Sequence, residues 1–278
     1  MSLEINAALL AVEQTDLNAY DTRTRVPLVV GLCGAQGSGK STLADALAAC
    51  LRARDLTVAV LSLDDLYLTR TERHARAATV HSLFETRGVP GTHDVALGLE
   101  LLGKFDAGRQ ATLPRFDKER DDRAPTKRWD QAAPNTEVVI FEGWCVGAAP
   151  EPEEALREPV NSLESEEDPQ GIWRTFVNTV LGGEYQRLFK RIDVQILLAA
   201  PDYAVVQTWR IEQEHALRIR VGDHHEKIMS DSEVTRFVQH FERLTRHILK
   251  EMPLRADLTI ELAVDRTVKA YRRRAQHI

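Results

Sequence analysis

The stretch Gly34-Ala35-Gln36-Gly37-Ser38-Gly39-Lys40-Ser41 decides how this chain folds. It satisfies the pattern G-x-x-x-x-G-K-[ST], the glycine-rich loop that cradles a phosphate chain. Its flanks agree. Val26-Pro-Leu-Val-Val-Gly-Leu-Cys33 ahead of it reads as a buried strand, and Thr42 to Leu51 behind it reads as a helix with one apolar face. Each residue type has a physical job. Gly34, Gly37 and Gly39 free the backbone to take positive φ and turn its N–H groups toward an anion. Lys40 is expected to reach the β- and γ-phosphates, and Ser41 to offer its hydroxyl to Mg²⁺. The helix N-terminus, with Thr42 in its first turn, adds unpaired N–H donors and a favourable dipole. Residues 34–42 are therefore expected to bind a nucleotide.

Outward from this loop, four more strands are expected at Thr57–Leu63, Glu137–Phe141, Ile192–Ala199 and Asp257–Leu262, separated by stretches of helical pattern. That alternation argues for an α/β fold with a parallel sheet and helices on both faces. Two long connections interrupt it. Residues 65–135 hold no convincing buried strand, carry a charged helix over 72–81, and read as a substrate-covering insertion. Residues 150–171 are acidic and punctuated by proline, and read as a solvated loop with at most a helical turn and without assigned chemistry. Leu3, Ala7, Leu10 and Leu17 suggest an amphipathic helix over residues 1–25. The 278 residues read as one elaborated domain.

Composition bounds the partners. With 43% hydrophobic and 28% charged residues, the chain has ample material for a globular core. A net charge of −6 argues against a general nucleic-acid binder. No apolar run reaches the length of a membrane span, and Glu4 and Glu13 argue against a signal peptide. Cys33, Cys50 and Cys145 are odd in number, far apart and set among apolar residues, the pattern of buried free thiols in a cytoplasmic protein. No Cys/His pattern has metal-ligand spacing, and His224-His225 reads as a loop pair. Nothing in the residues speaks to oligomeric state.

Several further motifs carry candidate chemistry. Ser62-Leu-Asp64-Asp65-Leu-Tyr67 places carboxylates just outside the end of the second strand, where open α/β sheets gather ligands. One of them there can take the proton of an attacking hydroxyl, although Asp64 or Asp65 is equally suited to cap a helix. Val138-Val-Ile-Phe-Glu142 is an apolar strand ending in an acid, the arrangement that orients Mg²⁺ beside a P-loop. Arg87-Gly-Val-Pro-Gly-Thr-His93-Asp94 is either a turn into a helix capped by Asp94 or a rigid loop presenting polar groups to a substrate. Residues 114–128 alternate basic and acidic side chains, as a solvated face or as an anion-binding loop. Within residues 203–222, Arg210, Arg218 and Arg220 are placed to form a phosphate-clamping lid. Arg210 and Arg218 also each lie four residues from Glu214, the spacing of helix-surface ion pairs. Arg272-Arg273-Arg274 reads as a solvated helix end.

Taken together, residues 34–41, 62–69, 87–94, Leu113–Lys118, Phe141–Trp144, Asp168–Arg174 and Trp209–His215 resemble the D-glycerate 3-kinases. The resemblance runs in order from about residue 26 almost to the end of the chain. It implies a P-loop kinase of the phosphoribulokinase, uridine kinase and pantothenate kinase group. That group has a five-stranded parallel core in the order 2-3-1-4-5, with an arginine-bearing lid. It further implies ATP and Mg²⁺ as cofactors and Asp64 as the catalytic base. Lys40, Arg210 and Arg218 would stabilise the transferring group, and Ser41, Glu142 and Asp64 would attend the metal. Tyr67, Arg87, His93, Asp94 and Lys118 form the expected acceptor site. The implied reaction is phosphorylation of D-glycerate to 3-phosphoglycerate. Two other readings stay open: a sister kinase acting on a nucleoside, pantothenate or sugar phosphate, and a non-catalytic nucleotide-binding switch.

Overall fold

The computed structural model describes residues 27–221 and 229–274. Six strands build the main sheet: β1 (Leu28–Gly34), β2 (Val58–Ser62), β3 (Val138–Gly143), β4 (Val194–Ala199), β5 (Leu258–Leu262) and β6 (Val268–Arg273). Their order is 2-3-1-4-5-6. The first five run parallel, and β6 returns antiparallel along β5. Every residue of β1, β3 and β4 is buried, which is why these strands read as unbroken aliphatic runs.

The sixth strand departs from expectation. Arg272 and Arg273 are strand residues, not a helix end, and Arg272 Nη2 lies 2.6 Å from Glu261 on β5. β6 occupies the sheet edge and is mostly exposed, so its sequence has charges where a buried strand has aliphatics.

Helices α1 (Lys40–Arg52), α2 (Arg70–Thr79), α3 (Val95–Asp106), α4 (Ile172–Val180), α5 (Tyr203–Val221) and α6 (Asp231–Glu251) pack around the sheet. On one face, Leu43, Leu47 and Leu51 of α1 join Val206 and Trp209 of α5 against Leu28, Val30 and Ile196. On the other, Leu101 and Phe105 of α3 meet Val29, Leu61 and Phe141. Helix α6 serves both cores, with Val234 and Val238 on the first side and Phe241, Leu244 and Ile248 on the second. Each fully buried leucine or phenylalanine contributes about 1.5–3 kcal/mol by leaving water.

The stretch 65–135 holds α2, α3 and two short antiparallel ribbons, Ala111–Leu113 with Asp130–Ala132 and Phe116–Asp117 with Asp122–Arg123. A capping box formed by Thr69 and Glu72 starts α2.

The acidic stretch 150–171 is not a solvated loop. It contains a helix at Ser162–Glu167, and two of its acids are sealed inside the protein. Glu164 accepts hydrogen bonds from Arg243 Nε and Nη2 at 2.8 and 2.7 Å. Asp168 accepts from the Trp173 and Arg174 amides at 2.9 and 3.1 Å and pairs with the Arg174 guanidinium. Arg243 arrives from α6, far along the chain, so local composition concealed the pairing. The helix expected over residues 1–25 and the pair His224-His225 lie outside the described residues, as does the side chain of Arg220.

Candidate active site

β1 ends in the phosphate loop. Gly37 and Gly39 take φ of 79° and 86°, the left-handed region open to glycine. Gly34 does not share that conformation, contrary to expectation. A Cβ there would lie 2.7 Å from Ser38 Oγ, so the position needs glycine for close approach. At Gly37 a Cβ would lie 2.7 Å from Trp209 Cβ on α5, and Arg266 Nε donates to the Gly37 carbonyl at 2.8 Å. The loop is thus held from two sides. Gly39 has no side chain to cap α1, which leaves the helix N-terminus turned to the loop. Ser38 Oγ and Gln36 Oε1 are buried with no partner, as suits groups awaiting a polar ligand. Gln36, Gly37, Lys40 and Ser41 line a cleft of about 550 Å³. Thr42, exposed in the first turn of α1, is not among the residues lining it.

Asp64 and Asp65 follow β2 in a tight turn, Leu63–Leu66, and take different partners. Asp65 is structural. It accepts from the Phe116 amide at 2.9 Å and from Arg115 Nη1 at 2.5 Å, tying the ribbon at 116–117 to the sheet. Asp64 lines the cleft, where Oδ1 accepts from the Tyr67 hydroxyl at 2.9 Å and Oδ2 from Lys118 Nζ at 2.8 Å. Burial pushes the Asp64 carboxyl up, but Lys118, Lys40 and the two hydrogen bonds outweigh it and hold the group well below the usual carboxylate range. Asp64 is therefore a carboxylate with a donor on each oxygen, more heavily engaged than a resident metal ligand would be.

Glu142, at the end of β3, fits that part better. It is buried, Oε2 has no partner, and burial raises its carboxyl while Lys40 opposes the rise. A hydroxyl from Ser41 and one carboxylate are the sparse protein donors that Mg²⁺ accepts when phosphates and water complete its shell. Among the described residues no group of three or more His, Cys, Asp or Glu could hold a metal ion.

Arg210 lines the cleft. Its Nη1 lies 2.6 Å from Glu214, and its guanidinium stands over the Phe237 ring at 5.8 Å. Helix pairing and cleft position, which looked like alternatives in the sequence, coexist. Arg218 instead donates from Nη2 to the Met229 carbonyl at 3.2 Å and is not among the lining residues.

On the acceptor side, Tyr67, Arg87 and Lys118 reach the cleft. Arg87 is paired with Asp121, which also holds buried Arg73, and it stacks on Phe116 at 5.4 Å. His93 and Asp94 do not reach it. Their segment pairs along residues 66–68, with Leu68 N to Thr92 O at 2.9 Å and Asp94 N to Leu66 O at 2.7 Å. His93 lies buried behind Tyr67, stacked on it with centroids 4.7 Å apart, and its Nδ1 is 2.7 Å from the Tyr185 hydroxyl. Burial lowers the imidazole to about 3, so it stays neutral. Asp94 caps α3 through the Leu97 amide and pairs with Arg123. These two residues support the site from behind.

Trp144, Gln213, Glu214, Phe237 and Phe241 also line the cleft, and none of them was among the expected site residues. Trp144 directly follows the Glu142-Gly143 strand end, a signal that was there to use. Phe237 and Phe241 come from α6, and nothing local marks them. Gly88 admits Phe241, whose ring a Cβ at that position would overlap at 2.3 Å.

The chain is similar to known kinases. The model of the phosphoribulokinase / uridine kinase family matches residues 29–149. An uncharacterized kinase of Schizosaccharomyces pombe, mug58, is 38% identical over 77% of this chain and 78% of its own length. The chloroplastic D-glycerate 3-kinase of Arabidopsis thaliana is 31% identical over 77% of this chain, a match spanning 46% of that longer protein. In three dimensions, the D-glycerate 3-kinase of Cryptococcus neoformans superposes with a TM-score of 0.80 at 24% identity, covering 98% of this chain and 100% of that one. At that identity the superposition speaks for the fold.

Proposed function

The chain belongs to the phosphoribulokinase / uridine kinase family, and from that premise we propose that it transfers the γ-phosphoryl group of ATP to a hydroxyl of a small hydroxy acid, D-glycerate first, giving 3-phosphoglycerate. One observation carries the reading. A single cleft gathers the P-loop residues Lys40 and Ser41, the carboxylate Asp64 and the cations Arg87 and Lys118.

The residues divide the work as follows. The backbone of 34–41 and Lys40 bind the triphosphate, and Ser41 with Glu142 would hold Mg²⁺, which supplies positive charge to the β- and γ-phosphates. Asp64 accepts the proton of the acceptor hydroxyl, and Arg210 stands ready to meet charge on the transferring group. Arg87 binds the acceptor carboxylate as a planar guanidinium matches a carboxylate, with two parallel hydrogen bonds. Catalysis rests on positioning and electrostatics. Residues 203–222 act as the lid in this reading, and 65–135 as the acceptor-covering insertion. No helix among the described residues is long and apolar enough to cross a membrane, and the unpaired cysteines support a cytoplasmic location.

The aromatic wall of Trp144, Tyr67, Phe237 and Phe241 favours a second reading, a flat nucleoside acceptor. Measuring ADP release with D-glycerate, glycerol, uridine and pantothenate separates the two. The glycerate reading expects the highest kcat/KM for D-glycerate, with 3-phosphoglycerate as product. A preference for uridine or pantothenate overturns the acceptor assignment. ADP formation unaffected by any acceptor would point to the nucleotide-binding switch.

A further inference from the structure

We propose that Lys118 masks the carboxylate of Asp64 until a negatively charged acceptor draws the lysine away, so that acceptor charge itself switches on the base. The inference rests on the phosphotransferase reading above. It begins from the fact that Asp64 has a donor on each oxygen, the Tyr67 hydroxyl on Oδ1 and Lys118 Nζ on Oδ2.

The two donors are held very differently. Tyr67 is buried between the His93 ring, stacked at 4.7 Å, and the edge of Phe116 at 5.1 Å, and its backbone pairs with that of His93. It cannot leave without unpacking the insertion. Lys118 is 62% exposed and stands on the turn between the paired strands Phe116–Asp117 and Asp122–Arg123. Its four-carbon stem lets the ammonium move without disturbing that ribbon. Lys118 is the donor that can go.

Separating an ammonium from a carboxylate is unfavourable unless the ammonium meets another anion. The cleft provides a place for one, because Arg87 also lines it and is fixed by Asp121 and Phe116, residues of the ribbon and turn that carry Lys118. A carboxylate held by Arg87 offers Lys118 a replacement partner. Water and uncharged alcohols offer none. With the mask removed, the acceptor hydroxyl oxygen bonds to the γ-phosphorus. The bond from that phosphorus to the β,γ-bridging oxygen breaks, its electron pair leaving with ADP, and the hydroxyl proton passes to Asp64 Oδ2. With the mask in place, a water molecule at the same position lacks its base, and ATP is spared from hydrolysis. Specificity for an acid thereby arises from a coupled rearrangement as well as from contact, in the manner of induced fit.

The test compares the full-length wild type with Lys118→Met and Lys118→Arg, each checked by melting temperature. The readouts are ATP hydrolysis without acceptor and kcat/KM for D-glycerate and for glycerol. Lys118→Met should raise acceptor-free hydrolysis by about two- to fivefold, the share of sites that an exposed ion pair holds closed and well inside the 10²–10⁴ a positioned base supplies. It should also narrow the preference for glycerate over glycerol by a comparable factor. Lys118→Arg keeps a cation against Asp64 and should raise hydrolysis less than Lys118→Met does. Unchanged or reduced hydrolysis in a folded Lys118→Met protein overturns the mask and leaves Lys118 as an acceptor contact only. If wild type does not turn over glycerate, yet Lys118→Met still releases hydrolysis, the acceptor assignment fails and the mask stands.

Discussion

Exchanging Asp64 for asparagine keeps the shape of the side chain and removes its ability to take a proton. The cost to folding is small, because the Asp64–Lys118 pair joins a lysine 62% exposed to an aspartate 30% exposed, and such pairs are worth about 0–1 kcal/mol. The cost to chemistry is large, because a positioned general base contributes about 10²–10⁴ to kcat. Asp65→Asn reverses this balance. Asp65 anchors the Phe116 amide and Arg115, and asparagine retains one acceptor oxygen while losing the charge, a loss of about 1.5–3 kcal/mol. In a protein of this size that lowers Tm by roughly 3–12 °C, with kcat reduced by less than about tenfold. Steady-state ADP release with saturating ATP and acceptor gives kcat, calorimetry gives ATP affinity, and thermal melts give Tm. The reasoning expects Asp64→Asn to bind ATP, melt near wild type and lose turnover. A larger kcat loss in Asp65→Asn refutes it and moves the base one residue along the chain. Small, equal losses in both refute it as well and return the pair to a purely structural role.

Arg87→Lys should raise KM for the acid acceptor by about tenfold or more while barely changing ATP affinity, because an ammonium cannot reproduce a bidentate contact; competition assays against ATP and acceptor separately check this. Arg243→Met leaves Glu164 buried without its cation, so it should destabilise the fold by about 3–5 kcal/mol in chemical denaturation, with kcat per folded molecule preserved. Burial pushes the Cys33 thiol up to about 12, and Cys145 is raised for the same reason, so both stay protonated near pH 8. Half-buried Cys50 should therefore react first with a thiol reagent under native conditions, with the other two labelled only on unfolding, as mass spectrometry of the labelled peptides would show.

Local chemistry made much of this protein legible from its residues alone. The P-loop could be read because phosphate cradling demands glycine, lysine and serine at fixed spacing within one turn. The central strands could be read because strands buried on both faces must be aliphatic throughout. Asp94 could be read as a helix cap because capping acts over three residues. Tertiary structure decided whatever depended on partners distant in the chain. β6 exists because β5 lends it an edge, not because its basic, exposed residues favour a strand. Glu164 and Asp168 looked like solvent-facing acids until Arg243 and Arg174 were folded over them. His93 shares a motif with Arg87, yet backbone pairing with Tyr67 turns it into the core and leaves Arg87 at the cleft. Asp64 and Lys118 stand 54 positions apart, and only the fold makes them a pair. Residue types and short spacings state which chemistry is available, whereas burial and charge pairing are properties of a surface that exists only once the sheet, the insertion and α6 have closed on one another.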